Sequence, residues 1–414
     1  MARTDVIVLG AGIVGTSIAL HLARRGLSVA LVDRGGPGEE TSYGNSGVIG
    51  GAGVYPAAFP RRLWPLIRVG LKLATEANYH ISFLPKVAPW LWAYRMASTP
   101  RRLEETARIM RPLMAHALAE HETLMEESGA GRYLRRDGWI SLYRSEQAFT
   151  NMRTELELCE ALGVTARTLD VDQARMLEPN LNPVFRRAIH WADIASVSNP
   201  LAVTRAYVRR FTALGGIVLQ GDAMTLHRSA RGWRVEASEG PIDATEVVVA
   251  LGPWAPDLLK QFGIKLPLGI KRGYHQHFHA QGNAGLTRPI VDPEVGYVLA
   301  PMDQGIRLTT GAEFASRDAA ATPVQIDRVM PHVRGLLPLG EPVEKQPWMG
   351  RRPIFPDSRP VIGRVPGQSG LWLALGHGHF GLTLGPVTGR LISEMMTGST
   401  PFTDPTPFGV ERFK

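Results

Sequence analysis

Residues 5–34 read DVIVLGAGIVGTSIALHLARRGLSVALVDR, and this stretch constrains the fold more than any other part of the chain. An apolar run ending at Leu9 predicts a buried strand, and a second run predicts another strand ending at Asp33. Between them, apolar residues recur at helical spacing up to Gly26, a residue type that favours the end of a helix. The stretch therefore predicts a strand, a helix and a second strand parallel to the first.

The loop between the first strand and the helix has the pattern G-x-G-x-x-G. Gly10 permits a tight turn, Gly12 lets the backbone approach a pyrophosphate, and Gly15 lets the helix pack on the strand. The N-terminus of the helix offers unpaired N–H groups to phosphates. Asp33 follows Gly12 by 21 residues, where an acid accepts hydrogen bonds from a ribose. We therefore predict a dinucleotide site, and the charge of Asp33 argues against NADP despite the adjacent Arg34.

The 414 residues suffice for two domains, and the net charge of +8 is spread over scattered arginines. No Lys/Arg run or nucleic-acid motif is present, so we do not expect nucleic-acid binding. A diffuse positive surface suits an anionic membrane; arginine usage in a GC-rich genome is the alternative explanation.

Cys159 is the only cysteine, so no intramolecular disulfide can form and a reducing compartment is expected. We find no signal peptide and no apolar run near the ~18 residues that span a bilayer. The expected location is cytoplasmic, with peripheral contact to the inner face of the cytoplasmic membrane as the alternative.

The middle of the chain changes character. Residues 55–129 show amphipathic helical patterns, including one long helix bent at Pro112. The segments IKRGYHQHFHA and VGYVLAPMDQGIRLTTGAEF alternate like antiparallel strands. Near the end, LWLALGHGHFGLTLGP predicts a strand, a glycine loop and a helix from about Leu382. The tail after Thr400 is expected to be extended.

Three further segments follow the first glycine motif in order: ETSYGNSGVIG, VVVALGPWA, and GRRPIFPDSRPVIG with GHGHFGLTLGP. With the N-terminal unit they resemble the FAD-dependent D-amino-acid oxidase and dehydrogenase family, which includes glycine oxidase and sarcosine oxidase. The helical part after GNSGVI is most similar to bacterial D-amino-acid dehydrogenases. The resemblance covers essentially the whole chain.

The resemblance implies an α/β and α+β fold with two domains, both discontinuous in sequence. One is a Rossmann-type FAD-binding domain, and the other is a substrate domain built on an antiparallel sheet plus a helical insert. The predicted boundaries are 1–54, 197–256 and 346–414 for the FAD-binding domain, and 55–196 and 257–345 for the substrate domain, with the insert at about 57–130.

The resemblance also assigns contacts with FAD. They are Gly10, Gly12, Ile13, Val14 and Gly15 at the pyrophosphate, Asp33 with Arg34 at the ribose, Thr41, Ser42, Asn45, Gly47 and Val48 at the phosphates and ring, Ala223 or Met224 at the adenine, and Gly252 and Trp254 at a second approach. From the residues alone, Asn45 also fits an Asx turn and Trp254 fits a plain core position.

The segment GHGHFGLT places a second helix N-terminus at the ring end of FAD, where its dipole stabilises negative charge. The predicted contacts are Gly378, His379, Gly381, Leu382 and Thr383. His377 is expected to be structural. His379 either faces the substrate or ring, or is incidental.

For the substrate carboxylate, the motif WMGRRP resembles the family's GxRP strand and assigns Arg352, with Arg351 on the opposite face. A structural salt bridge is the alternative for Arg352. The resemblance places Tyr297 over the substrate, and Tyr274 is a second candidate. Each tyrosine also fits an ordinary half-buried strand position.

His275, His277 and His279 alternate along one predicted strand and so share a face, as a metal site requires. We expect no metal, because no acid or cysteine in the pattern completes such a site. The C-terminal cysteine motif of covalent flavin attachment is absent, so noncovalent FAD is expected.

The resemblance implies oxidative deamination of a D-amino acid to a 2-oxo acid and ammonia, by hydride transfer from the α carbon to flavin N5. Electrons would pass to a quinone or respiratory carrier. Alternatives are the same chemistry on D-proline, D-hydroxyproline, glycine or an N-methyl amino acid, with oxygen as a further acceptor. An alternative of another class is a noncatalytic FAD-binding subunit of a complex.

Overall fold

A computed structural model describes residues 2–50, 55–230 and 232–413. Its strands are β1 (Ala2–Leu9), β2 (Val29–Asp33), β3 (Val48–Ile49), β4 (Ala77–Tyr79), β5 (Leu134–Arg135), β6 (Trp139–Tyr143), β7 (Ala166–Leu169), β8 (Arg187–Trp191), β9 (Ala195–Val197), β10 (Ile217–Gln220), β11 (His227–Ser229), β12 (Gly232–Val235), β13 (Ile242–Val249), β14 (Gly269–Ala280), β15 (Ile290–Asp292), β16 (Tyr297–Met302), β17 (Gly305–Thr310), β18 (Ala312–Phe314), β19 (Leu339–Pro342), β20 (Trp348–Ile354), β21 (Val361–Arg364) and β22 (Leu371–Leu375).

The helices are α1 (Ile13–Arg24), α2 (Leu63–Gly70), α3 (Leu84–Ala97), α4 (Pro100–Ser128), α5 (Glu146–Asn151), α6 (Arg153–Ala161), α7 (Val171–Leu177), α8 (Pro200–Ala213), α9 (Ala255–Leu259), α10 (Val324–Leu336) and α11 (Gly381–Met396). None of the helices in the described part of the chain combines the length and apolarity of a bilayer-spanning segment.

The first sheet has the order β10-β2-β1-β13-β12-β11, with β22 beside β13 and β21 beside β22. Strands β10, β2, β1, β13 and β22 are parallel. Along β1, Val6 and Val8 pack into one apolar core while Ile7 and Leu9 pack into another on the opposite face. Both faces are buried, as a parallel sheet requires. The predicted N-terminal unit is confirmed.

The second sheet runs β4-β18-β14-β17-β16-β15-β6-β8-β7, with β19 and β20 also paired to β14. Most of its neighbouring strands are antiparallel. Strands β3, β9 and β5 form a third, short sheet. The predicted combination of a parallel nucleotide-binding sheet and an antiparallel sheet is therefore present.

Two elements run across the predicted domain boundaries. Strand β20 lies in the second sheet, paired to β14, although its residues fall in the predicted FAD-binding segment 346–414. Helix α4 packs on α8 and α11 beside the first sheet, although it belongs to the predicted insert, and Pro112 lies inside this one helix. The division into domains stays a prediction.

The C-terminal tail is not fully extended as expected. Its residues form 3-10 turns at Thr406–Phe408 and Val410–Phe413. Phe408 is buried in the first core, and the Phe413 ring lies 4.9 Å from that of Phe355. Burial of these aromatic rings holds the tail against the protein.

Candidate active site

A cavity of about 1300 Å³ extends from the carboxyl ends of β1 and β2 to the face of the second sheet. Its walls come from the start of α1, the loop before β3, the turns after β10, β13 and β22, and the strands β14, β17 and β20. Ligands of open α/β sheets bind at such carboxyl ends.

The glycines of the first motif differ in what they do. Gly10 has φ of 104°, and a Cβ there would lie 2.5 Å from the carbonyl oxygen of Ala250. Gly15 lies against the Gly10 carbonyl and outside the cavity lining, so it serves helix packing. Gly12 is the N-cap of α1 and has no side chain to cap the helix. With Ile13 it lines the cavity, which leaves the start of α1 open to an anion.

Asp33 and Arg34 lie at the carboxyl end of β2. The Asp33 Oδ2 atom accepts a hydrogen bond from the Ala11 N–H at 2.6 Å, and Oδ1 accepts one from Gly35 N–H at 2.9 Å. Each oxygen keeps a lone pair for a ribose hydroxyl. The Arg34 guanidinium lies 4.4 Å from the centre of the Trp254 ring, and both side chains line the cavity. Trp254 is therefore a cavity wall rather than plain core.

Some residues of the loop that ends at β3 line the cavity, and others serve only the structure of the loop. Ser42 accepts a hydrogen bond from Ile13 N–H at 2.9 Å, which joins this loop to the start of α1. Asn45 lines the cavity, but its Oδ1 accepts from Gly47 N–H at 2.8 Å, so the Asx-turn alternative is present. Gly47 packs against Val197 and lies outside the lining. The remaining predicted contacts on this wall and at the adenine end do line the cavity: Val14, Thr41, Val48, Ala223, Met224 and Gly252.

The glycine loop after β22 leads into α11, whose first residue is Gly381. Gly378, with φ of 59°, lines the cavity together with Gly381, Leu382 and Thr383. The Thr383 hydroxyl donates to the Val48 carbonyl at 3.0 Å, which ties this helix N-terminus to the loop opposite. The positive end of α11 therefore faces the cavity.

The two histidines of this loop are both neutral at pH 7. His377 is buried and its Nε2 lies 3.1 Å from the Thr388 hydroxyl oxygen; burial lowers its pKa to about 4. His379 projects into the cavity. The His379 side chain is exposed to the cavity, where the enclosing walls reduce its solvation. This loss of solvation, together with the charges of Arg352 and Lys271, lowers the pKa of His379 to about 3. His377 has a structural partner, whereas His379 stays available to a ligand.

Arg352 projects from β20 into the cavity. Its guanidinium lies over Gly273, where a Cβ would overlap it. Nη1 donates to the Gly311 carbonyl at 2.9 Å and Nη2 donates to the Thr310 carbonyl at 3.2 Å. Among the described residues no carboxylate pairs with it. Burial lowers its pKa to about 10, so it stays charged at pH 7.

Arg351 takes the other direction, as predicted. Its Nε donates to the Arg317 carbonyl at 2.9 Å, and its guanidinium lies 5.7 Å from the Trp254 ring centre. Arg351 itself is outside the cavity lining.

The two predicted tyrosines do not present hydroxyls to the cavity. Tyr297 packs in the core on the far face of the second sheet, and Arg144 donates to its hydroxyl oxygen at 3.3 Å. The neighbouring Val298 faces the cavity instead, because side chains alternate along a strand. Tyr274 touches the cavity, but its hydroxyl donates to Glu313 Oε2 at 2.6 Å on the opposite face. Neither tyrosine is positioned to order a substrate.

The three histidines of β14 do not form one cluster. His275, His277 and Glu344 come together with candidate ligand atoms within 4.8 Å of one another, while His279 is exposed. The acid that the sequence pattern lacked is therefore supplied by Glu344. However, Arg307 Nε donates to His277 Nε2 at 2.9 Å, and its buried charge opposes a cation there.

Lys271 is a cavity residue that sequence reasoning missed. It lies directly across from Arg352 in the β14–β20 ladder and lines the cavity. Alternation along β14 would have grouped Lys271 with Gly273, but the pairing with a strand about eighty residues later is not visible in a single sequence.

The arrangement fits FAD. A continuous cavity joins the open start of α1 and the Asp33 carboxylate at one end to the start of α11 at the other. FAD bound there would meet backbone N–H groups at its phosphates and a second helix dipole at its ring.

Comparisons with known proteins agree with this geometry. A family model described as FAD dependent oxidoreductase (DAO) matches residues 5–395. A D-amino-acid oxidase of Bradyrhizobium diazoefficiens is 30% identical, with 99% of this chain and 98% of that protein covered. A D-amino acid dehydrogenase of Chromohalobacter salexigens is 29% identical, with 99% of each covered. The crystal structure of glycine oxidase from Geobacillus kaustophilus matches with a TM-score of 0.75 and 21% identity over 99% of both chains.

The family, the fold class and the dependence on FAD were all predicted from the sequence, and these comparisons confirm them. The chain belongs to the DAO family of FAD-dependent oxidoreductases, and it is an enzyme.

Proposed function

We propose that this enzyme oxidises a D-amino acid to a 2-oxo acid and ammonia with noncovalently bound FAD. The observation that carries the proposal is Arg352, a half-buried cation at the ring end of the cavity with no carboxylate partner among the described residues. A carboxylate of the substrate supplies that partner. The names of the two relatives, a D-amino-acid oxidase and a D-amino acid dehydrogenase, support the D configuration.

Bound in this cavity, FAD would supply a hydride acceptor for the substrate α carbon. The residues of the chain do the positioning. Arg352 holds the carboxylate and so fixes the α carbon. Hydride transfer needs the neutral amine. The positive charge of Arg352, and that of Lys271 when it is protonated, disfavours a protonated substrate amine. The imino acid product is hydrolysed by water to the 2-oxo acid and ammonia.

Noncovalent binding is supported by the position of Cys159. This thiol lies on α6, buried in the first core, and does not line the cavity. Burial raises the pKa of Cys159 to about 12, so the nucleophilic thiolate is not populated at pH 7.

The electron acceptor in this proposal is a membrane quinone or a respiratory carrier. Large apolar side chains are exposed on and around α2 and α3: Leu63, Trp64, Ile67, Leu71, Leu73, Ile81, Trp92 and Met96. Basic side chains exposed beside them are Arg61, Arg62, Lys72 and Lys86. Apolar and basic groups together suit the surface of an anionic bilayer. The peripheral membrane location belongs to the same proposal.

The test is anaerobic mixing of the yellow holoenzyme with D- and L-amino acids, D-proline and glycine, while the flavin absorbance is followed. We expect bleaching with D-amino acids and none with their L enantiomers. Failure of every D-amino or imino acid to bleach the flavin would sink the proposal. Reoxidation by a soluble quinone analogue should exceed reoxidation by oxygen; the reverse order would assign an oxidase.

A further inference from the structure

Lys271 and Arg352 form a cross-strand pair on the cavity face of the second sheet. Paired residues of an antiparallel ladder have Cβ atoms about 5 Å apart and point to the same side. Two cationic side chains therefore enter the cavity from neighbouring positions.

Their charged ends diverge. The Arg352 guanidinium lies over β14 and donates to the carbonyls of Thr310 and Gly311. The Lys271 ammonium lies in the other direction, 4.0 Å from the centre of the Tyr94 ring and 5.7 Å from that of Trp90 on α3. A carboxylate bound by Arg352 therefore does not also pair with the ammonium of Lys271, which can bind a second anion at a separate position.

In the part of the chain that the structure describes, no carboxylate pairs with either side chain. The acidic residues that line the cavity are engaged or located elsewhere: Asp33 and Asp222 with backbone N–H groups, Glu39 with Arg205, Glu40 with Arg34, Asp257 and Asp318 with Arg317, and Glu155 beside Tyr55 and Tyr143. His379, the third basic side chain here, is neutral. Within the described residues, two basic side chains thus line the cavity with no carboxylate beside them, and burying their charged forms is costly unless a ligand anion pairs with them.

We propose, resting on the proposed function, that Lys271 binds a second carboxylate and that the substrates are acidic D-amino acids. Arg352 takes the α-carboxylate and Lys271 takes the carboxylate of the side chain. The rings of Tyr94 and Trp90, whose centres lie 4.0 and 5.7 Å from the ammonium, limit where it can lie. Lys271 is then the residue that determines specificity.

The experiment measures dissociation constants of two nonoxidisable acids on the FAD-loaded enzyme, by flavin absorbance change or calorimetry. Succinate has the two carboxylates of aspartate, and butyrate has the same number of carbons with one. We expect succinate to bind at least tenfold tighter than butyrate. In Lys271→Met this preference is lost, in Lys271→Arg it is retained, and the exposed Lys265→Met behaves as wild type.

Equal binding of succinate and butyrate to the wild-type enzyme would overturn the assignment, and so would an unchanged preference in Lys271→Met. These readouts need no turnover. If succinate is preferred but no D-amino acid bleaches the flavin, the proposed reaction fails while the dicarboxylate site stands. If neutral D-amino acids bleach the flavin as efficiently as D-aspartate and D-glutamate, the acidic specificity fails while the reaction stands.

Discussion

Arg272 and Arg352 lie on paired strands of the same sheet, yet their surroundings are opposite. Arg272 is fully buried, and its Nε lies 2.9 Å from Glu313 Oε2. Its other donors reach Tyr274 Oη at 2.8 Å and carbonyl groups of the loop after β18. Arg352, on the opposite face of the β14–β20 ladder, reaches two carbonyls and no carboxylate among the described residues.

The difference separates a structural cation from a functional one. The carboxylate of Glu313 neutralises the charge of Arg272, and this ion pair holds the strand and the loop after β18 together. The charge of Arg352 has no such partner among the described residues, so a ligand anion can pair with it. Arg272 is fully buried, whereas Arg352 is half-buried in the cavity wall. The clearer difference is that a carboxylate pairs with Arg272 and, among the described residues, none pairs with Arg352.

The largest expected effect is that of Arg352→Met. Removing one partner of a buried charge pair costs about 2–5 kcal/mol, so kcat/KM for a D-amino acid should fall on the order of 10³-fold. FAD content and thermal unfolding should stay close to wild type, because none of the residues that the structure describes forms an ion pair with this side chain. A loss of less than tenfold in steady-state kinetics would remove Arg352 from the substrate site.

The next effect is on stability. Glu313→Gln leaves Arg272 buried without a carboxylate, and we expect the free energy of unfolding to drop by about 3 kcal/mol. The affinity of the folded variant for substrate should change less than twofold, because Glu313 lies on the far face. Urea denaturation with parallel KM measurements checks both parts. If Glu313→Gln kept the stability of the wild type but bound substrate more weakly, the roles assigned to the two arginines would be wrong.

A smaller effect is the pH dependence of succinate binding. Burial and the charge of Arg352 lower the pKa of Lys271 to about 7. Only the charged ammonium attracts the second carboxylate, and binding raises its pKa, so succinate affinity should fall as pH rises from 7 to 9, by up to about tenfold per unit. Butyrate affinity should stay nearly flat over this range.

The groups that face Lys271 do not produce this profile themselves. Arg352 stays charged, with a pKa of about 10, and His379 stays neutral, with a pKa of about 3. Burial raises the pKa of Tyr94 above its usual value. If the affinities of succinate and butyrate changed in parallel with pH, the pH dependence would belong to a group other than Lys271.

Local patterns in the sequence predicted the parts of the fold that depend on local physics. The helix-ending glycine after α1 and the glycine loop before α11 are local signals, so the end of α1 and the start of α11 were predicted within a residue or two. Arg352 was predicted through a motif rather than from its environment. Its lack of a partner is a property of the whole cavity and could not be predicted from the neighbouring residues.

The errors came from strand faces and distant pairings. Tyr297 was expected over the substrate, but alternation along β16 turns Val298 to the cavity and Tyr297 to the far core. Glu344 reaches the histidines of β14 from the segment after β19. Lys271 meets Arg352 only through the register of two neighbouring strands that lie about eighty residues apart in the chain.

The contrast between the two arginines is tested most directly by the dissociation constant of butyrate, measured on the FAD-loaded wild type, Arg352→Met and Glu313→Gln. The account predicts that butyrate affinity falls more than a hundredfold in Arg352→Met and stays within twofold of wild type in Glu313→Gln. Equal affinity of the wild type and Arg352→Met would contradict it.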